Sequence, residues 1–161
     1  MAKIIAICGK ICSGKTYYAK QIEKNINAVI LSTDEATYYL INNEQGEFYN
    51  NFSERVNKYL MKKAVEIVKA GCNVILDWGF WTKASRKATT EYFEKFSIKT
   101  EWHYVDIELS KLEKQIRNRN NKIKNGNGGY NFYVDNGLLQ KSLSTFETPT
   151  DDEIDIWYNN K

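Results

Sequence analysis

Gly9, Gly14, Lys15 and Thr16 occupy every fixed position of the phosphate-binding pattern G-x-x-x-x-G-K-[ST], in the segment Gly9-Lys10-Ile11-Cys12-Ser13-Gly14-Lys15-Thr16. Residues of these types at this spacing hold the phosphates of a nucleotide. The backbone N–H groups of Cys12, Ser13 and Gly14 cradle oxygens, Lys15 reaches the β and γ phosphates as a point charge, and Thr16 offers its hydroxyl to a magnesium ion that keeps most of its waters. Cys12 reads better as a small side chain filling a variable position than as a reactive thiol.

Phosphoryl transfer also needs its acceptor oriented and its moving charge neutralised. Asp34, in Leu31-Ser32-Thr33-Asp34-Glu35, fits two readings equally well: the N-cap of a helix starting near Ala36, or a general base for an acceptor hydroxyl. Asp77 closes Val74-Ile75-Leu76-Asp77 in the form of a Walker B strand, where an acid holds magnesium or orients substrate; a capped strand end is the plainer alternative. The rings of Trp78-Gly79-Phe80-Trp81 either seal the core or wall an acceptor pocket. Arg117 and Arg119 are two residues apart, so a continuous helix aims only one of them at the phosphates. Arg119 lies nearer the Gly-rich patch and is preferred as the transition-state arginine, with Arg117 as the alternative. Arg86, between Lys83 and Lys87, reads as part of a solvated helix face, with contact to a polar substrate group as the second reading. Tyr38, Tyr39, Phe48, Tyr49 and Phe52 follow Asp34; if half of them face a cleft, a flat or partly apolar acceptor is favoured over a simple sugar.

Such residues function only if strands and helices aim them. Ile4-Ile5-Ala6-Ile7 predicts a strand entering the loop, and 17–25 predicts the helix leaving it, with Ala19, Ile22 and Ile26 on one face. Further buried strands are predicted at 28–32, 73–77 and 102–107, and a weaker one at 154–158. Helical stretches lie at 52–69, 83–96 and 109–122; Val56, Leu60, Ala64, Ile67 and Val68 share a face of the first, and Gly71 stops it. The alternation predicts an α/β fold: a five-stranded parallel sheet sandwiched by helices, with ligands at the carboxyl ends of the strands. The Asn- and Gly-rich patch 118–131 reads as a surface loop or as a lid, and the basic residues leading into it favour the lid.

The bulk numbers narrow the class. At 161 residues one domain spanning 1–161 is expected. A composition 27% charged with no long apolar run points to a protein without membrane segments, and the early strand leaves no room for a cleavable signal, so the cytoplasm is the expected location. Three cysteines without ligand spacing and one histidine argue against zinc chemistry. A net charge of +3 is too small for nonspecific nucleic-acid binding.

With these residues assembled, the chain resembles the P-loop kinase-like proteins grouped with zeta toxins, chloramphenicol phosphotransferases and the kinase half of polynucleotide kinases. The resemblance runs through residues 7–16, Leu31 to Asp34, Ile75 to Trp81, Arg86, Tyr104-Val105-Asp106, Arg117 to Asn120 and Phe146-Glu147-Thr148-Pro149. It implies magnesium-dependent transfer of the γ-phosphate of ATP to a hydroxyl on a small or medium acceptor. It favours Asp34 as the base, supports a lid arginine at Arg117 or Arg119, and implies an adenine site that is shallow or built partly from Thr148 to Thr150. It leaves the acceptor unidentified, and nucleic acid enters only as a 5′-hydroxyl substrate. Two other readings remain: a nucleotide-dependent ATPase or switch, against which stands the lack of an Asn-Lys-x-Asp segment for guanine, and a nucleoside or nucleotide kinase, for which Arg55 and Arg86 are the available phosphate-binding arginines.

Overall fold

An aliphatic run with no polar face must be buried on both sides, and that requirement shapes this molecule. In the computed structural model, which describes residues 1–41 and 47–160, these runs form β1 (Ile4–Cys8), β2 (Ala28–Ser32), β3 (Asn73–Asp77), β4 (Thr100–Asp106) and β5 (Ile156–Asn159). They pair in parallel in the order β2-β3-β1-β4-β5. The register sets Asp77 opposite both Ile7 and Ser32, so β1, β2 and β3 end level with one another.

Among the described residues six α-helices connect and cover the strands: α1 (Lys15–Glu23), α2 (Thr33–Ile41), α3 (Glu47–Lys69), α4 (Lys83–Glu94), α5 (Leu109–Lys124) and α6 (Asn136–Thr145). The period-2 alternation of a strand divides β1 between two cores. Ile4, Ala6 and Cys8 pack with Ala64, Val65 and Val68 of α3 and Phe93 of α4, whereas Ile5 and Ile7 pack with Tyr18 and Ala19 of α1 on the opposite face. Ile4 and Ile7 are fully buried, each worth about 2 kcal/mol of transfer free energy. A third cluster joins Leu112 and Ile116 of α5 to Ile107 and Val134, with Ile11, Leu138 and Leu139 against it, and so fastens α5 and α6 beside the phosphate loop.

The structure departs from the sequence reading at several elements. Helix α2 starts at Thr33 rather than near Ala36, and its first turn is capped by Ser32, whose Oγ accepts from Glu35 N at 3.3 Å. Asp34 is therefore not an N-cap. Helix α6 was not expected; Asp135 caps it by accepting from Leu138 N at 2.7 Å. Helix α5 runs on to Lys124, so half of the 118–131 patch is helical. The last strand begins at Ile156, two residues late; just before it Asp155 bonds Trp102 twice, its N–H donating to the Trp102 carbonyl at 2.9 Å and its carboxylate accepting from Trp102 N at 2.8 Å. Arg86 does not lie on a solvated face: it is 3% exposed, pairs with Glu153 at 2.8 Å, and donates to the carbonyls of Phe80 and Glu147.

Candidate active site

The loop between β1 and α1 is held open by close backbone packing. A side chain at Gly9 would place its Cβ 2.7 Å from the Val105 carbonyl oxygen, so only glycine lets the loop run this near β4. Gly14 has φ 98° in the left-handed region, and a Cβ there would meet Asn160 Nδ2 at 2.6 Å. Asn160, at the end of β5, braces the loop by donating to the Ser13 carbonyl at 2.7 Å, and its own carbonyl accepts from Lys111 Nζ at 3.0 Å. Nothing in the sequence marked Asn160, because its role depends on β5 lying two strands from the loop.

Helix α1 has no side-chain cap and no acid in its first turn, whereas Thr82 and Asp135 cap α4 and α6. The first N–H groups of α1 are left for an anion, and the helix dipole favours one there. Ser13 is fully buried and its Oγ has no partner among the described residues. Lys15 folds back over the loop and donates to the carbonyls of Gly9 at 3.0 Å and Lys10 at 2.8 Å. Burial pushes its ammonium below the ordinary lysine range, and the carboxylates of Asp77 and Asp34 oppose that shift.

Adjacency of β3 to β1 brings Asp77 to Thr16, whose hydroxyl donates to the Asp77 carboxylate at 2.7 Å. Asp34 reaches the same space from α2 and accepts no hydrogen bond from a described side chain. Burial raises its carboxyl above the usual range; Arg119 and Lys15 pull it down and Asp77 pushes it further up. Asp77 is raised by burial too, with the Thr16 hydrogen bond and Lys15 opposing.

Arg119 stands on the stripe of α5 that includes Leu112 and Ile116. Its guanidinium donates to Cys12 Sγ at 2.9 Å and to Asn131 Oδ1 at 2.7 Å, tying the phosphate loop to the Gly-rich segment. Arg117 is exposed on the other side of the helix and does not line the site. The segment after α5 is itself pinned: Asn120 accepts from Val134 N and donates to its carbonyl, at 2.9 and 2.8 Å. Asn131 and Asn120 were hidden in the sequence by the many asparagines around them.

A cavity of about 900 Å3 joins the phosphate loop, the two acids and Arg119. Its wall includes Cys12, Lys15, Thr16, Asp34, Asp77 and Arg119, together with Tyr49, Trp78, Trp81 and Phe132. The four-residue aromatic segment divides, since Phe80 is buried in the core while Trp78 and Trp81 face the cavity. Of the aromatic stretch after Asp34, Tyr49 lines the cavity, Tyr38, Tyr39 and Phe52 do not, and the side chain of Phe48 lies outside the described residues. Residues 148–150 stay outside the cavity wall, whereas Gln115 and Asn118 of α5 line it.

A parallel sheet with an uncapped Gly-rich loop, an adjacent acid strand and an arginine over the loop defines a P-loop kinase-like nucleotide-binding domain. The AAA domain family model matches residues 4–149, and the chain belongs to that family. No curated protein matches the chain. Among solved structures, it is similar to a sugar kinase from Janibacter sp., with 15% identity over 99% of this chain and 86% of that one and a TM-score of 0.67. The Mycobacterium tuberculosis APS kinase, solved with AMPPNP and APS, matches at 15% identity over 99% and 89% of the chains with a TM-score of 0.60. Chaetomium thermophilum Kti12, solved with ADP-AlF3, matches at 14% identity over 97% and 87% with a TM-score of 0.66. These likenesses establish the shared fold. No helix among the described residues is long and apolar enough to cross a membrane.

Proposed function

We propose that this chain, a single domain over 1–161, is a magnesium-dependent phosphotransferase that moves the γ-phosphate of ATP to a hydroxyl of a small or medium acceptor. One observation carries the reading: a single cavity holds both an uncapped phosphate loop and a half-buried carboxylate, Asp34, that the loop does not use. A hydrolytic switch has no need of such a group, whereas transfer to an alcohol does. In this reading the amides of Cys12, Ser13 and Gly14 hold the donor phosphates and Lys15 neutralises the β and γ oxygens. Asp34 accepts the proton of the acceptor hydroxyl as its oxygen bonds to phosphorus, and ADP leaves with the electrons of the broken P–O bond. Arg119 balances charge on the moving group.

The donor set also fits magnesium. Thr16 Oγ1 and the Asp77 carboxylate are hard oxygens 2.7 Å apart, and two carboxylates raised by burial favour a nearby cation. When bound, the ion would draw charge from the β and γ phosphates. A kinase for nucleoside monophosphates is disfavoured, because Arg86 is consumed by Glu153 and Arg55 is exposed away from the cavity. Asp34→Asn is expected to abolish acceptor-stimulated ADP release while leaving ATP affinity within about twofold, whereas Lys15→Ala weakens both. Full turnover by Asp34→Asn on a genuine acceptor would remove Asp34 as the base; ADP release that no hydroxyl compound stimulates would favour the switch.

A further inference from the structure

The sheet order splits the cavity into two chemically distinct halves. On one side of β1 lie β4 and β5 with α5 and α6, which carry Lys122 and Lys141. On the other lie β3 and β2, and above them the half-cavity of Asp34, Tyr49, Trp78, Trp81 and Phe132. The described residues that wall this second half, Asp34, Tyr49, Asn50, Asp77, Trp78, Gly79, Trp81 and Phe132, include no lysine or arginine, although the chain as a whole carries a net charge of +3. The cations acting on the Asp34 carboxylate are Arg119 and Lys15, both of which belong to the donor phosphates. The field over this half is correspondingly negative: the Tyr130 hydroxyl is held against ionisation by burial and then by Asp77, Glu35 and Asp34. Its remaining surface is aromatic, with Phe132 edge-on to Tyr49 at 6.0 Å and 88°.

Resting on the phosphotransferase reading, we infer that the acceptor is an alcohol that also carries a protonated amine, whose ammonium docks against these rings and acids while its hydroxyl reaches Asp34. Ring faces and carboxylates attract a cation once water is displaced. An anionic acceptor would lose its hydration here without gaining a positive partner.

The test is calorimetric titration of the protein, held with a nonhydrolysable ATP analogue and magnesium, with three probes: kanamycin A, its fully N-acetylated derivative, and gluconate. Kanamycin A is expected to bind at least about tenfold more tightly than either of the others, and Trp81→Leu to remove most of that advantage while ATP-analogue affinity stays within about twofold. N-acetylated compound or gluconate binding as tightly as the amine, or no binding by any of the three, overturns the inference. ADP release measured with the same probes separates the two readings. A bound amine that stimulates no release counts against phosphotransfer and leaves the acceptor class standing, whereas release driven by gluconate supports phosphotransfer and ends the amine assignment.

Discussion

Asp34 is costly to the fold in the position where it is useful to chemistry. Its carboxyl is raised above the usual range by burial, so the folded protein holds that proton more tightly than the unfolded chain does. Stability is therefore lost as pH rises from the ordinary carboxylate value of 3.8 through the raised folded value. Asp34→Asn should stabilise the nucleotide-free protein at pH 7 by about 1 kcal/mol, roughly 2–4 °C in Tm, with the gain vanishing below pH 4. Urea titrations at the two pH values check this, and an unchanged or lower midpoint at pH 7 would refute the burial argument. The same ionisation gives turnover an acid limb displaced upward from that of an exposed carboxylate. The residue types around Asp34 fit a cap and a base equally, and the family resemblance favours the base; the structure removes the cap reading, because Ser32 takes that place where α2 begins. The two arginines were more legible. Leu112, Ile116 and Arg119 follow the i, i+4, i+7 spacing of one helix face, a pattern readable without coordinates. Accordingly Arg119→Ala should lower kcat by about a hundredfold or more, and Arg117→Ala should leave it within about twofold.

At the scale of elements, the buried strands and the long helices were readable because hydrophobic period and length speak plainly there. Helix α6 was not, since a short helix among asparagines buries too little to imprint a pattern, and the C-terminal segment showed only as a weak strand at 154–158, because a partly exposed edge strand imprints little. What holds that segment is polar. Arg86 on α4 reaches the carbonyls of Phe80 and Glu147 and the carboxylate of Glu153, while Glu147 accepts from Lys83 N and donates its own N–H to the Trp81 carbonyl. One guanidinium thus fixes both the aromatic turn after β3 and the approach to β5. Spacing alone reads Lys83, Arg86 and Lys87 as an exposed face; only the segment some sixty residues later covers Arg86. Removing one partner strands the other as a buried charge. Arg86→Ala is expected to destabilise by about 3 kcal/mol and Arg86→Ala with Glu153→Ala by less, measured by denaturant unfolding; equal losses in both would mean that the pair is not coupled.

For the whole molecule, the consequence of the strand order is that the proposed donor and acceptor halves meet over β1 and are roofed by one short piece of chain. Residues 128–133 supply Asn131, which holds Arg119 at 2.7 Å, and Phe132, which packs on Tyr49 of α3. Arg119 in turn bonds Cys12 in the phosphate loop, so a continuous path runs from the loop through Arg119 and Asn131 to the acceptor wall. On the phosphotransferase reading, nucleotide in the loop would draw Arg119 toward phosphate, and Asn131 would carry that pull into the roof. Any such coupling acts equally in both directions, so a roof settled by nucleotide is also a roof made ready for acceptor. Binding of a nonhydrolysable ATP analogue should therefore slow amide hydrogen exchange across 128–133. Asn131→Ala should abolish that slowing while changing nucleotide affinity by no more than about threefold, because Arg119 keeps its Cys12 contact and the loop keeps its amides and Lys15. Exchange in 128–133 that slows equally in Asn131→Ala would show that the roof responds to nucleotide by another route, and the arginine would then be a local charge rather than the link between the two halves.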